Sequence, residues 1–291
     1  MSERTRRDSR TAPAAAAAFP GATAVTVLDV YDWVAPDGLR GGSAHVHLAS
    51  TEGYVVASGA GRLQTLGERG YAETPLRPGD CLWFTPGTIH RLVNDGDLRL
   101  FIVMQNAGLP EHGDAVLTFP AEILADPAGY ARAASLDAGP AEAGARAGAP
   151  DAPAAGGDAR SAADGGADGG ADGGEGRLAV AARRRASLAV EGFLTLRERV
   201  AESGPGALDD FYAAALRLAG QRADDWRDRW QAGALATAEL TGDHLDEIGA
   251  GVAGHLDEAG LWRIERPTGE RSYGMCGRLT PYPASSATRV G

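Results

Sequence analysis

The chain has 291 residues, with 39 acidic and 28 basic side chains, a net charge of −11 and a hydrophobic fraction of 44%. Every basic residue is an arginine, so no lysine amine is present to form a Schiff base. No region is basic overall, which disfavours nucleic-acid binding.

The two cysteines, Cys81 and Cys276, are too few for a disulfide framework and point to a reducing compartment. No stretch approaches the roughly 20 apolar residues of a membrane span. The N-terminal APAAAAAF lacks the strong apolar run of a secretory signal, although Ala22–Ala24 offers an Ala-x-Ala pattern. A cytoplasmic location is therefore expected. The abundance of Ala, Gly and Arg suggests a GC-rich bacterial genome.

In chain order, residues 1–21 read as a disordered tail and 22–130 as a β-domain. Short segments rich in β-branched and aromatic residues, among them ATAVTVLDVYDW, SAHVHLAS, YVVASG, CLWFT and LRLFIVM, alternate with PDG, GERG, PGD and NDGD. Such spacing predicts an antiparallel sandwich or small barrel. Residues 131–176 carry 8 acids against 3 arginines. From 138 onward they hold no large apolar residue to offset ordering entropy, so the segment reads as a flexible acidic linker.

Residues 177–291 read as mainly helical. Leu188, Phe193, Leu196 and Val200 follow helical spacing, and Trp226 and Trp230 share a helix face as expected core. The tail WRIERPTGERSYGMCGRLTPYP reads as a hairpin followed by extended chain. The expected class is thus α+β: an antiparallel β-barrel, a disordered linker and a helical C-terminal region.

The stretch HVHLASTE, residues 45–52, places titratable groups inside apparent β-structure. On a strand His45 and His47 share one face and Val46 takes the other. After a short turn at 49–51, Glu52 would open the returning strand beside them. Farther on, His90 follows a Pro-Gly turn. Three imidazoles and a carboxylate converging inside a barrel form the ligand set of a divalent transition metal, whose charge would make their burial tolerable.

These residues resemble the two motifs of the cupin superfamily. His45, His47, Glu52 and Gly59 fit the first, although Leu39 stands where its leading glycine is expected. Gly79, Gly87, His90 and Asn94 fit the second, with Thr85 in place of its proline and Pro86 one position later. The 19 residues between Gly59 and Gly79 suit the interval between the motifs. The resemblance spans about residues 25–110 and implies a jelly-roll barrel that binds a metal through His45, His47, Glu52 and His90. The metal would be iron, manganese, nickel, copper or zinc. It also implies a small-molecule ligand and a homodimer.

Metal-bearing cupins include dioxygenases, isomerases, decarboxylases and non-enzymatic binders, so the fold alone does not select a reaction. The first expectation is an enzyme of dioxygenase or isomerase type, with Glu52 as a catalytic proton shuttle. A small-molecule or metal-sensing module, with the helical region binding a partner, is the alternative. A transcription regulator is a further one, because HLDEAGLWRIERPTGERSYGM faintly resembles the last helix and wing of a winged-helix domain. His112 is expected in a surface loop, His244 and His255 facing solvent, Cys81 buried, Arg91 facing outward, and Trp83 and Phe84 packed between the sheets.

Overall fold

A computed structural model describes residues 18–137, 171–252 and 254–290 of the chain. The expected tail lies outside the described residues up to 17, and the expected linker lies outside them from 138 to 170.

The strands are β1 (Ala24–Val30), β2 (His45–His47), β3 (Glu52–Gly67), β4 (Gly70–Leu76), β5 (Cys81–Phe84), β6 (Ile89–Met104) and β7 (Ala115–Leu117). Helices α1 (Ala121–Ala125) and α2 (Pro127–Ala134) follow, then α3 (Ala171–Ser203), α4 (Asp209–Ala219), α5 (Ala223–Trp230) and α6 (Ala236–Gly249). A π turn over Gln231–Leu235 links the last two. The chain ends with β8 (Leu261–Arg263), β9 (Ser272–Tyr273), β10 (Gly277–Tyr282) and β11 (Thr288–Val290). Helix thus occupies both edges of the segment expected as linker.

The frame of the barrel is the antiparallel ribbon of β3 and β6, each 16 residues long, paired from Glu52↔Met104 to Leu66↔Ile89. Register shifts between Val56 and Gly61 bend it. Gly59 sits at the bend with φ 80°, and a Cβ there would lie 2.2 Å from the Asp97 carbonyl oxygen, so only glycine fits. Asn94 secures the other side of the bend. Its amide donates to the Val30 carbonyl, and its oxygen accepts from the Gly96 and Leu98 amides. The sheet order is β4-β3-β6-β1-β10-β9, with β5 on β3, and β2 between β6 and β7. Leu28, Tyr54, Val56, Leu63, Leu92, Leu98 and Leu100 fill the interior.

The helices are not a separate body. Ala189, Val190, Phe193, Leu196 and Val200 form the buried stripe of α3. The cluster around them includes Val46, Val116, Leu117 and Phe119 from the barrel and Phe211, Ala214 and Ala215 from α4. Close approach is possible because residue 192 is glycine: a Cβ there would meet the Thr118 carbonyl oxygen at 1.9 Å. The Thr118 hydroxyl also donates to the Ala189 carbonyl at 2.7 Å.

Several expectations are corrected. The division between a barrel at 22–130 and a helical region at 177–291 fails at the tail, because β10 pairs antiparallel with β1 and Cys276 lies in the barrel interior. The expected hairpin is β9 with β10. No wing forms, since β8 pairs with β11 and β9 belongs to the barrel sheet. Cys81 and Trp83 are exposed, Trp83 at 72%, because β5 is a short edge strand whose outer face is covered by none of the described residues, while Phe84 points inward. Arg91 does alternate away from His90, yet it is fully buried. The chain over residues 37–42 covers that side, and the guanidinium pairs with Asp37 at 2.5 Å and donates to the Gly42 carbonyl. Trp226 is buried, but Trp230 is partly exposed where the helix leaves the barrel. Among the described residues, no helix is long and apolar enough to cross a membrane.

Because barrel and helices share one cluster, truncating Phe193, which is 0% exposed, should weaken both. Phe193→Ala is expected to cost about 3–5 kcal/mol. Urea denaturation followed by far-ultraviolet circular dichroism and tryptophan fluorescence should show one shared, shifted transition. Separate transitions for barrel and helices would contradict the shared core.

Candidate metal centre

Strand β2 is only three residues long, yet it delivers two of the four side chains. It can do so because both of its edges are held: His45 pairs with His90 of β6, and residues 45–47 pair with Leu117, Val116 and Ala115 of β7. Alternation sends Val46 outward into the cluster beneath α3, and His45 and His47 inward. The chain then turns over residues 48–51, and Glu52 opens β3 opposite Phe84 and Met104. His90 arrives from the start of β6, just after the Pro86-Gly87 turn. That turn is fastened on both sides. The Gly87 amide donates to the His47 carbonyl at 2.9 Å, and the Tyr212 hydroxyl of α4 donates to the Gly87 carbonyl at 2.7 Å.

His45, His47, Glu52 and His90 therefore meet, each offering one ligand atom, with those atoms within 4.8 Å of one another. All four residues are buried, from 0% exposed for His90 to 7% for His47. Glu52 Oε2 lies 3.1 Å from His90 Nε2 and 3.3 Å from His47 Nε2. The rings of His45 and His90 stand edge to face at 4.2 Å, and Phe84 closes against His90 at 4.1 Å.

The donor set fits a divalent cation. His45 Nδ1 lies 3.1 Å from the Ser43 carbonyl and His90 Nδ1 lies 3.0 Å from the Thr88 carbonyl. A proton on each Nδ1 satisfies those carbonyls and leaves the Nε2 lone pair facing the centre. Glu52 Oε2 and His90 Nε2 are buried with no partner in hydrogen-bond geometry, despite their short separation. Orphaned buried donors of this kind are costly unless something between them accepts their electron pairs.

The electrostatics agree. Burial, reinforced by the neighbouring His90 and His47, pushes the His45 imidazolium well below its usual range. Burial opposes charge on Glu52 as well, but His47 and His90 outweigh it and hold the carboxyl well below the usual range. For His47 burial again disfavours the cation. Asp114 and Glu52 reverse that and raise it to about 9. Asp114 belongs to no motif in the sequence: its carboxylate is fully buried 3.5 Å from His47 Nδ1. It lies 67 positions away from His47, and no local pattern announces it. Tyr54, which follows Glu52 along the inner face, has a buried hydroxyl with no hydrogen-bond partner.

The other histidines lie elsewhere. His112 sits in the turn Pro110–His112 with its Nδ1 on the Gly108 carbonyl. His244 and His255 stack at 4.3 Å, half-buried rather than free in solvent, with His255 bonded to Glu247.

Residues 33–104, within the barrel, match the cupin domain family model. A comparison with curated proteins finds no match. The chain is similar to a double-stranded β-helix protein of Klebsiella pneumoniae, with 22% identity over 28% of this chain and 64% of the other and a TM-score of 0.23. It is also similar to a cupin protein of Bacteroides fragilis, with 22% identity over 30% and 65% and a TM-score of 0.22. A third similar structure is a predicted oxalate decarboxylase of Thermotoga maritima, with 21% identity over 28% and 64% and a TM-score of 0.22. The chain thus spans less than two thirds of each of these proteins, and likeness at this level says nothing of substrate.

A raised His47 has a measurable consequence. The metal-free protein should hold a proton on His47 at pH 7.5, below its value of about 9, and a ligating imidazole must give that proton up. Zinc added in weak buffer at pH 7.5 should release about one proton per ion, and apparent affinity should rise with pH up to about 9. Zinc binding without proton release at pH 7.5 would contradict this protonation state.

Proposed function

We propose that this protein is a metal-dependent cupin enzyme that acts on a small organic substrate by dioxygenase- or isomerase-type chemistry. Its metal would be held by His45, His47, Glu52 and His90. The observation that supports this reading most directly is the buried convergence of those four ligand atoms within 4.8 Å. With these four residues as its protein ligands, the ion would be able to bind a small substrate as well. A bound divalent ion would supply Lewis acidity and, if it is iron, manganese or copper, redox capacity.

The chain's own residues supply the rest. The imidazoles of His45 and His90, held from behind at Nδ1 by the Ser43 and Thr88 carbonyls, present Nε2 in fixed directions. Phe84, whose ring lies 4.1 Å from that of His90, helps to keep bulk water from the centre and so strengthens electrostatics within it. Glu52 can take up and return a proton at Oε2 if it swings from the ion, in the role of general base and acid. The unpartnered Tyr54 hydroxyl on the same inner face is available to donate to a substrate oxygen.

A second reading, as a non-enzymatic sensor, draws on a different observation. Helix α4 grips the turn before His90 through Tyr212, so helix position and site geometry are linked. The two readings diverge on turnover, which a sensor lacks.

Metal analysis of protein purified without chelator should find about one transition-metal ion per chain. His90→Ala should weaken binding on the order of 10–100-fold or more, because it removes a direct ligand. The metal found then selects the substrates and the oxygen-uptake assay to run. A chain that stays metal-free after incubation with iron, manganese, nickel, copper and zinc would overturn the metal reading. A metal-loaded protein that turns over nothing in those assays would leave the sensor.

A further inference from the structure

The three imidazoles are held from behind by different groups. His45 and His90 have backbone carbonyls at Nδ1, those of Ser43 and Thr88. Behind His47 stands the carboxylate of Asp114, 0% exposed and 3.5 Å away through Oδ2. That carboxylate does more than face a ring. Its Oδ1 accepts the backbone amides of Leu48 at 2.9 Å and Ala49 at 2.7 Å, and its Oδ2 accepts that of Ser50 at 3.0 Å. These are the residues of the turn between His47 and Glu52, so one buried side chain fixes the segment joining two candidate ligands.

A carboxylate can only accept. His47 Nδ1 is buried with no partner in hydrogen-bond geometry, and a carboxylate 3.5 Å from it favours the tautomer with the proton there and Nε2 bare toward the centre. Its charge also makes His47 a stronger donor than an imidazole held by a carbonyl.

Asp114 is itself held from the far end of the chain. It ends the loop after β6, where its amide donates to the Leu109 carbonyl. Two residues earlier, the His112 carbonyl accepts the Trp226 indole N–H of α5 at 3.0 Å and the Arg222 guanidinium at 3.3 Å. The indole is buried in the same cluster as Leu109. A path therefore runs from α5 by hydrogen bond to the His112 carbonyl, along the chain through Gly113 to Asp114, and across 3.5 Å to His47.

Resting on the metal reading above, we propose that Asp114 is a positioning residue of the metal centre, and that the C-terminal helices keep it in place. It would orient His47 with Nε2 toward the ion and set the turn that presents Glu52. The helical region would then be part of the machinery that shapes the centre, not an appendage to the barrel.

Asp114→Asn is the direct test. The amide keeps the volume of the side chain but puts an N–H2 group against either His47 Nδ1 and the Ser50 amide or the Leu48 and Ala49 amides. In the first placement Nδ1 must accept, and the proton moves to Nε2, where it opposes metal binding. Affinities for zinc and cobalt are measured by chelator competition at fixed pH, with the cobalt absorption spectrum as a record of ligand geometry. The thermal midpoint of the metal-free protein reports separately on loss of turn stability.

Asp114→Asn is expected to bind metal about 10–100-fold more weakly, with an altered cobalt spectrum. In a double-mutant cycle, the same change made in His47→Ala should have much less effect on affinity, since the residue it acts through is gone. Unchanged affinity and spectrum would overturn the proposal, as would an undiminished effect in the His47→Ala background, which would mark a merely structural role. If Asp114→Asn does not fold, Trp226→Phe carries the test, since it keeps most of the ring and removes the indole N–H from His112. Faster release of cobalt to chelator is expected, and an unchanged release rate would overturn the proposal. Wild-type protein that binds no metal in the same assay is a distinct result, removing the metal reading beneath.

Discussion

Glu52 Oε2 lies between two imidazole nitrogens, 3.1 Å from one and 3.3 Å from the other, in a barrel interior where Glu52 is only 4% exposed. A carboxylate in that position must be compensated, and the compensation has to be rigid, because a charge released to move in an apolar interior would draw in water or unfold its surroundings. Much of the barrel's detail follows from this. The shortest inner strand is fastened along both edges. The turn before His90 is bonded to the His47 carbonyl on one side and to Tyr212 on the other. The carbonyls of Ser43 and Thr88 fix the proton positions of two rings, and a second buried carboxylate stands behind the third.

The same need for rigidity explains why the chain does not divide into a barrel and an appendage. The outward side chains of β2 and β7 are apolar, and a sheet face of Val46 and Val116 left bare would invite association. Helices α3 and α4 cover it, closely enough at Gly192 to touch backbone. On the other side, β10 returns from the end of the chain to pair with β1, giving that strand a partner on each edge and removing an open edge from the sheet. The elements that seal the barrel are also the ones that hold its loops.

The site was legible in the sequence to an unusual degree, for a physical reason. His45 and His47 are two apart on one strand and so share a face by local geometry alone. Glu52, by contrast, opens a strand that does not pair with theirs, because β2 lies between β6 and β7, so only the barrel closure brings that candidate ligand beside them. Gly59 and Gly87 mark backbone with positive φ that few other residues accept. The buried stripe of α3 was legible likewise, because Phe193, Leu196 and Val200 follow the helical period. Asp114 was not legible. Its partners are a ring and three amides more than 60 positions away, and no local period connects them. Arg91 was half legible: alternation gave its direction, but only the chain at 37–42 decided that this direction is buried.

What the sequence determined by itself is what short-range geometry governs: strand alternation, turn positions, helix faces, and the shared face of His45 and His47. Tertiary structure alone decided which surfaces are covered. It buried Arg91, exposed Trp83 and Cys81, and drew residues 277–282 into the barrel. It also brought Asp114 to 3.5 Å from His47 and the Trp226 indole onto the His112 carbonyl. Burial depends on what arrives from elsewhere in the chain, and a sequence pattern carries no record of arrivals separated by a hundred residues.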